Sequence, residues 1–326
     1  MSRVKVLRGY GPAIDVRGVK LVFDSSPHGK SIQLISHAHL DHVQTLSPVN
    51  VIMTRETHSI LESIGRRGEW TKIEYGRGLT ILDDVKISAE PSGHVLGSAQ
   101  FIIDLDGNRL VYTGDLNIYD SLVHRGANPI ESDILIIEST YGEPSYRFPS
   151  REKIYANIIR WILETTNSGG IPAFKVYSLG KSQEIIQLIN TYLDLPVVVS
   201  WPVARISERY REYGIPLEYI IINSLEGLEL LKHGDCVYVS SSREDLPTKR
   251  NIRWAVATGW ALRYRYNSYD MAFPLSGHSD YDGLIKYVEE SCPKQVYTFH
   301  GYAKTFSQHL TRKGISSKPL TEISEV

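Results

Sequence analysis

The stretch His37-Ala38-His39-Leu40-Asp41-His42 constrains this chain more than any other. Three imidazoles and one carboxylate fall within six positions, directly after the apolar run Ile32-Gln33-Leu34-Ile35. A short run of that kind reads as a buried strand, which places the cluster on the loop where the strand stops. In extended backbone His37 and His39 project to the same side and can share one metal ion. Asp41 and His42 follow where the chain turns, within reach of a second ion beside the first. Nitrogen and oxygen donors without thiolate suit zinc, with manganese or iron as alternatives. Polar loop histidines with no metal are the bland account of the same letters, and four ligand types in six positions argue against it.

The chain that carries this cluster has 326 residues, enough for two domains or for one domain with a large insert. A hydrophobic content of 42% and a charged content of 22% are those of a globular chain with a real core. The first twenty residues contain no apolar signal region. No stretch approaches the roughly 18 apolar residues of a membrane span, so a cytoplasmic location without membrane contact is expected. Cys236 and Cys292 stand outside any C-x-x-C spacing and are expected to be small buried residues, neither metal ligands nor a disulfide. The formal net charge of −1 excludes a polycation that holds nucleic acid by bulk charge. Residues 145–275 hold 16 Lys+Arg against 13 Asp+Glu, a weak basic bias. The 20 tyrosines could stack on bases, but most are expected to be packing residues.

Through residue 140 the pattern is one of short strands joined by turns. Val19–Phe23 runs to Asp24, 32–36 runs to the histidine cluster, and Val51–Thr54 precedes a short helix over 56–63. A strand over 85–88 leads into a Pro-Ser-Gly turn that delivers His94. Alternation over Ala99–Leu105, an Asp106-Gly107 turn and a return over 109–113 predict a hairpin, which Gly114 and Asp115 close. The apolar run 134–137 ends at Glu138-Ser139-Thr140-Tyr141-Gly142. From Pro149 onward, strands alternate with helices, which implies a parallel sheet with helices on its faces. After Leu275 the first style returns, with a loop to Asp280, a helix to 290, a strand over 295–299 and a terminal helix near 304–313. Ser279 or Asp280 can cap the first of these helices.

His94, Asp115 and His300 each stand at a strand end, where they could complete the ligand set begun by the cluster. At this point HAHLDH, SGHVLGS and TGD, in that order, resemble the metallo-β-lactamase superfamily, whose fold is an αββα sandwich. ESTYG, SGHSD and FHGY, with an α/β insert between the first two, resemble its β-CASP nuclease branch. That branch includes the mRNA cleavage and polyadenylation endonuclease, ribonuclease J and Artemis-type DNA nucleases. The likeness runs from Asp24 to the final helix. YSLGKSQE and the TGW at 258–260 look like short archaeal and bacterial members. Those are described as mRNA 3′-end processing factors or as exonucleases associated with DNA ligase.

The resemblance implies an α/β chain with a metallo-β-lactamase domain over 1–144 and 275–326 and an inserted parallel-sheet β-CASP domain over 145–274. It implies two zinc ions, with manganese possible: His37, His39 and His94 on one, Asp41, His42 and His300 on the other, Asp115 bridging. Asp24 would orient a ligand from behind. Glu138 and His278 would lie near the scissile phosphate, His278 giving a proton to the leaving oxygen. Ser139, Thr140, Lys181 and Ser276 are the expected substrate contacts, Lys181 at a helix N-terminus where a phosphate can bind. Arg147, Arg205, Lys249 and Arg250 could line a strand-tracking groove. His28, His58, His124, His233 and His309 match no motif and are expected to be structural or surface residues.

The implied reaction is hydrolysis of single-stranded nucleic acid by a hydroxide shared between two metals, leaving a 5′-phosphate and a 3′-hydroxyl. His300 leans the substrate towards RNA and 3′-end processing or exonuclease action. The short insert leans it towards the DNA exonuclease of ligase-associated repair. A thioester or lactam hydrolase of the same superfamily would leave ESTYG and SGHSD without a task. An inactive binding subunit would be expected to lack ligands that are all present here. Single-stranded RNA or DNA is therefore the expected partner, alongside proteins that process nucleic acid.

Overall fold

The apolar runs on either side of Asp24 become neighbouring parallel strands, Val19–Phe23 and Ser31–Ile35, paired in register from Lys20 with Ser31 to Phe23 with Leu34. The structure is a computed structural model that describes residues 5–8, 11–27, 29–82, 85–320 and 324–325. His28 lies outside the described residues. Two units emerge: one of Met1–Asp120, Arg125–Arg147 and His278–Val326, the other of Ser121–His124 and Phe148–Gly277. The second therefore also takes 121–124, a segment outside the 145–274 read as inserted.

The first unit holds two seven-stranded sheets. One runs in the order Ser324–Glu325, Lys5–Arg8, Pro12–Val16, Val19–Phe23, Ser31–Ile35, Val51–Thr54, Thr71–Ile73. The other runs Ser317–Pro319, Gln295–Phe299, Ile134–Glu138, Asn108–Tyr112, Ala99–Leu105, Val85–Pro91, Gly78–Ile81. Because side chains alternate across a strand, each sheet turns one set inward. Leu21, Phe23 and Leu34 of the first sheet meet Phe101, Ile103 and Tyr112 of the second in one buried core, so the sheets pack face to face. Ile102, Val111, Leu135 and Ile137 point the other way and are covered by helices Tyr281–Ser291 and Ala303–Arg312 through Leu284, Val288, Phe306 and Leu310. Helix Arg55–Ser63 buries Ile60 and Leu61 beside the first sheet. This is the α/β sandwich that the motifs implied.

The second unit is a six-stranded sheet, parallel throughout, in the order Ile220–Ile221, Val197–Val199, Val237–Ser240, Ile171–Lys175, Ile252–Ala257, Met271–Phe273. Helix Arg151–Asn167 starts at Ser150, whose hydroxyl accepts from Lys153 N–H. It lays Trp161 edge-on against Phe174 and Phe273 on one face. On the opposite face Leu231 packs with Ala173, Val198 and Tyr238. Helices therefore cover both faces, as the alternating pattern predicts.

Several features differ from the sequence reading, among them added short strands such as Thr71–Ile73, Gly78–Ile81 and Met271–Phe273. Helix Leu225–His233 is additional; its signals are a Ser224 N-cap and a left-handed Gly234 C-cap. The strands before Val19 are additional too, because Pro12 and the charges around it hide their period. Cys236 is buried as expected, but Cys292 is exposed, because it ends helix Tyr281–Ser291 in the left-handed conformation at φ +46°.

Candidate metal centre

Four ligand-type residues of the first unit arrive at strand ends. His37 follows Ser31–Ile35, His94 follows Val85–Pro91, Asp115 follows Asn108–Tyr112 and His300 follows Gln295–Phe299. The loops are tied to one another by backbone bonds: Ala99 N–H to Ser36 O at 2.8 Å, and Asn117 N–H to Ser92 O at 2.9 Å. Ser98 Oγ accepts from the N–H groups of His94 and Val95, both at 3.1 Å. Gly97 stands at φ +78°, and a Cβ there would lie 2.5 Å from Thr57 N, so only glycine lets this loop sit on the start of helix Arg55–Ser63. Gly114, at φ +56°, passes so close to the cluster that a Cβ would lie 2.6 Å from Ser36 Cβ. Gly114→Ala is expected to cost about 1–3 kcal/mol and to weaken metal binding by pushing Ser36 away. Denaturant midpoints and metal titration check it; unchanged values in both would refute the close approach.

The imidazoles converge. His37 Nε2 and His94 Nε2 lie 3.0 and 3.1 Å from His39 Nδ1. Nε2 of His37, His42 and His94 lie 3.4, 3.5 and 3.5 Å from Asp115 Oδ2. His37, His39, His94 and Asp115 each offer one atom within 4.8 Å of the others. Ring nitrogens that face one another in this way have too few protons between them to satisfy each other. A cation about 2.0–2.2 Å from each would satisfy them all, so the donor set fits a metal.

Asp24 decides which nitrogen each ring presents. It stands at φ +45°, a left-handed conformation uncommon outside glycine. Its carboxylate accepts from Ser36 N–H at 2.6 Å, Ser36 Oγ at 2.5 Å, Tyr112 OH at 2.8 Å and His42 Nδ1 at 3.0 Å. The single Ser36 hydroxyl proton is thereby used, so Ser36 Oγ must accept from His37 Nδ1–H at 2.9 Å. Both His37 and His42 are left with Nε2 directed at Asp115. Ser36 and Tyr112 are the contributors that motif reading missed. The only sequence signal for Tyr112 is its inward register on a core strand.

Burial pushes the His37 imidazole well below its usual range. His42 behaves oppositely: burial works against its charge, but Asp115 and Asp24 outweigh it and hold it up to about 10. At pH 8 a cation must therefore displace the His42 Nε2 proton. Metal loading should release about one proton per chain into weak buffer. Loading with no release would remove His42 from the ligand set. Metal present at about 100 times its dissociation constant should also add about 2.7 kcal/mol of stability, read as a melting point lowered by chelator.

A second constellation borders the first. Glu138, fully buried at the end of Ile134–Glu138, accepts from Leu116 N–H and Thr140 N–H, both at 2.9 Å, and meets His278 Nδ1 at 2.8 Å. Burial alone would raise this carboxyl, but His278 and the two amides together hold it near 2. His278 Nε2 lies 3.9 Å from Asp115 Oδ2, and its ring is tilted against that of His94 with centroids 4.5 Å apart.

Asp41 and His300 stand at the margin. Asp41 is 78% exposed, its Oδ2 3.9 Å from His42 Nε2. His300 is exposed at φ +58°, its ring 5.8 Å from that of His42. Ser139 is fully buried, and its hydroxyl is given to the Phe299 and His300 carbonyls, so it holds the His300 turn. Thr140 is half-buried. Arg147 is engaged by Asp282 at 2.7 Å. In the second unit Lys181 opens helix Lys181–Tyr192, and buried Ser276 offers its carbonyl to Arg151 at 3.0 Å. Of the unassigned histidines, His124 bonds Tyr210 OH at 3.1 Å, and His233 lies near Glu229 on its own helix.

Residues 272–318 match the family described as "RMMBL: Zn-dependent metallo-hydrolase RNA specificity domain". A protein of Opitutus terrae named "Probable DNA ligase" is 30% identical over 90% of this chain and 29% of its own length. An "RNase J-like protein" of Methanocaldococcus jannaschii is 28% identical over 82% of this chain and 80% of its own. "Cleavage and polyadenylation specificity factor subunit 3" of Dictyostelium discoideum is 25% identical over 84% of this chain and 46% of its own. The chain thus spans less than a third of the first relative and less than half of the third. A crystal structure of a protein of unknown function from Enterococcus faecalis aligns over 99% of both chains with a TM-score of 0.72 at 15% identity, a likeness of fold alone. The chain belongs to the metallo-β-lactamase superfamily, in its β-CASP branch. Among the described residues no helix is long and apolar enough to cross a membrane.

Proposed function

We propose that this chain hydrolyses phosphodiester bonds of single-stranded nucleic acid with two zinc ions, for which manganese can substitute. His37, His39, His94 and Asp115 would hold one ion; Asp115 with Asp41, His42 and His300 would hold the other. The observation that carries this reading is the approach of three Nε2 atoms to one Asp115 oxygen with the Glu138–His278 pair alongside. When bound, the ions supply an activated water and neutralise charge developing on the phosphate.

The remaining work belongs to side chains. Asp24 and Ser36 keep Nδ1 of His42 and His37 protonated and turned away, so both rings act through Nε2. Glu138 anchors His278 by Nδ1, leaving Nε2 to hand a proton to the leaving sugar oxygen as the P–O bond breaks. The products are a 5′-phosphate and a 3′-hydroxyl. The second unit, 148–277, is read as the β-CASP insert.

RNA is the first substrate reading, supported by His300 and by the description of the family matched at 272–318. DNA is the second, supported by the name of the Opitutus relative. Matched end-labelled RNA and DNA strands with zinc or manganese separate them. Cleavage confined to DNA overturns the preference for RNA, and no cleavage of either overturns the nuclease reading.

A further inference from the structure

We infer that the carboxyl edge of the parallel sheet in the second unit is a base-stacking platform for a single strand of nucleic acid. The inference rests on the nuclease reading and adds to it residues that no motif supplies. In an open parallel sheet, ligands gather outside the carboxyl ends of the strands, where successive connections leave in opposite directions. Here that point lies beside Ile171–Lys175: the chain leaves it for Val197–Val199 on one side and returns as Ile252–Ala257 on the other.

Three large aromatics stand on this edge, and all are mostly in water. Tyr177 follows Ile171–Lys175 and is 63% exposed, Trp201 follows Val197–Val199 and is 54% exposed, and Tyr264 follows Ile252–Ala257 and is 57% exposed. The strands that precede Tyr177 and Trp201 are separated by one intervening strand, about 10 Å, and those that precede Tyr177 and Tyr264 are neighbours, about 5 Å apart. Rings this size left in solvent forgo burial that the same sheet gives to Trp161, Phe174 and Tyr238. Stacking under bases would recover it, and it works for every base because each has a π face.

Cations accompany the rings. Lys181, Arg205, Arg263 and Arg265 follow the strands on the carboxyl side, and Lys181 Nζ sits 4.9 Å over the Tyr177 ring. The acids that follow the strands on that side are Glu184, Glu226, Glu244 and Asp245; Glu184 is held by Arg151, and Glu244 is turned inward to Tyr238 and Ser240. Asp194, Glu218, Asp235 and Asp270 precede the strands on the amino side, together with the cations Arg211, Lys232, Lys249 and Arg250. The cations beside the rings, Lys181 over Tyr177 among them, are what draws a polyanion to this edge. A protein partner would be expected to require apolar cover here, whereas each ring is accompanied by a cation.

The test uses the full chain. Binding of a fluorescein-labelled 12-nucleotide single strand to the chelator-treated protein is measured by anisotropy, with RNA and DNA arms and an abasic strand of equal length. Each of Tyr177→Ala, Trp201→Ala and Tyr264→Ala should weaken binding about fivefold or more, and the triple variant at least about a hundredfold. Trp201→Phe should retain most of the affinity, and the abasic strand should bind wild type and triple variant alike. Metal-loaded triple variant should turn over bis(p-nitrophenyl) phosphate at the wild-type rate while its KM for the strand rises. Wild-type affinity in the triple variant, or equal affinity for normal and abasic strands, overturns the platform. A wild type that binds the strand in this way but hydrolyses neither strand nor small diester overturns the nuclease reading and leaves the platform standing.

Discussion

Asp115→Asn is expected to lower hydrolysis of a single strand by about 10³-fold or more and to leave the chain with less metal than wild type. The reason is geometric. One oxygen, Asp115 Oδ2, lies within 3.4–3.5 Å of the Nε2 atoms of His37, His42 and His94. An amide at that place keeps the shape but loses the charge that would balance the cations, and it can turn an NH₂ group towards lone pairs that need a cation. Elemental analysis beside turnover separates the two losses. Asp24→Asn offers the graded comparison, because that residue accepts four hydrogen bonds behind the rings and touches no substrate. It should cost only about 10–100-fold in metal affinity or rate. Full metal content and near-wild-type turnover in Asp115→Asn would remove the bridging role altogether.

What could be read in advance follows from how local each feature is. The His37–His42 cluster, the hairpin at Asp106-Gly107 and the apolar face of Arg151–Asn167 are written in neighbouring letters, and each takes its expected place. The turn shows why: Asp106 at φ +50° and Gly107 at φ +76° are the pair that a tight hairpin demands. Ser36 and Tyr112 could not be read in this way. Their roles depend on two sheets packing so that Asp24, Ser36 and Tyr112 meet across 12 and 88 residues of chain. Ser139 shows the converse. Its motif suggested a substrate contact, yet its hydroxyl is spent holding the His300 turn. The exposed rings of the second unit escaped notice because composition counts tyrosines without saying which of them face water.

The proposed proton donor, His278, provides the sharpest division between metal and side-chain chemistry. His278→Ala should retain its metals and lose about 10²–10⁴-fold in turnover, the usual worth of a positioned general acid. Glu138→Gln should fall between that variant and wild type, because an amide oxygen can still accept from Nδ1–H but cannot balance an imidazolium. A structural measurement distinguishes the pair from a mere packing contact. The Glu138 carboxyl is held near 2 in the folded chain, against an ordinary value of 4.5. A depressed carboxyl stabilises the fold above its unfolded pKa, and that contribution is lost as pH falls from about 4.5 towards 2. Glu138→Gln should therefore flatten stability against pH across that window, even where it lowers the plateau above it. If the variant kept the wild-type slope between pH 4.5 and 2, the buried Glu138–His278 pair would not be what holds the imidazole in place. A donor elsewhere on the first unit would then have to be sought, while the ligand geometry around Asp115 would stand unaffected.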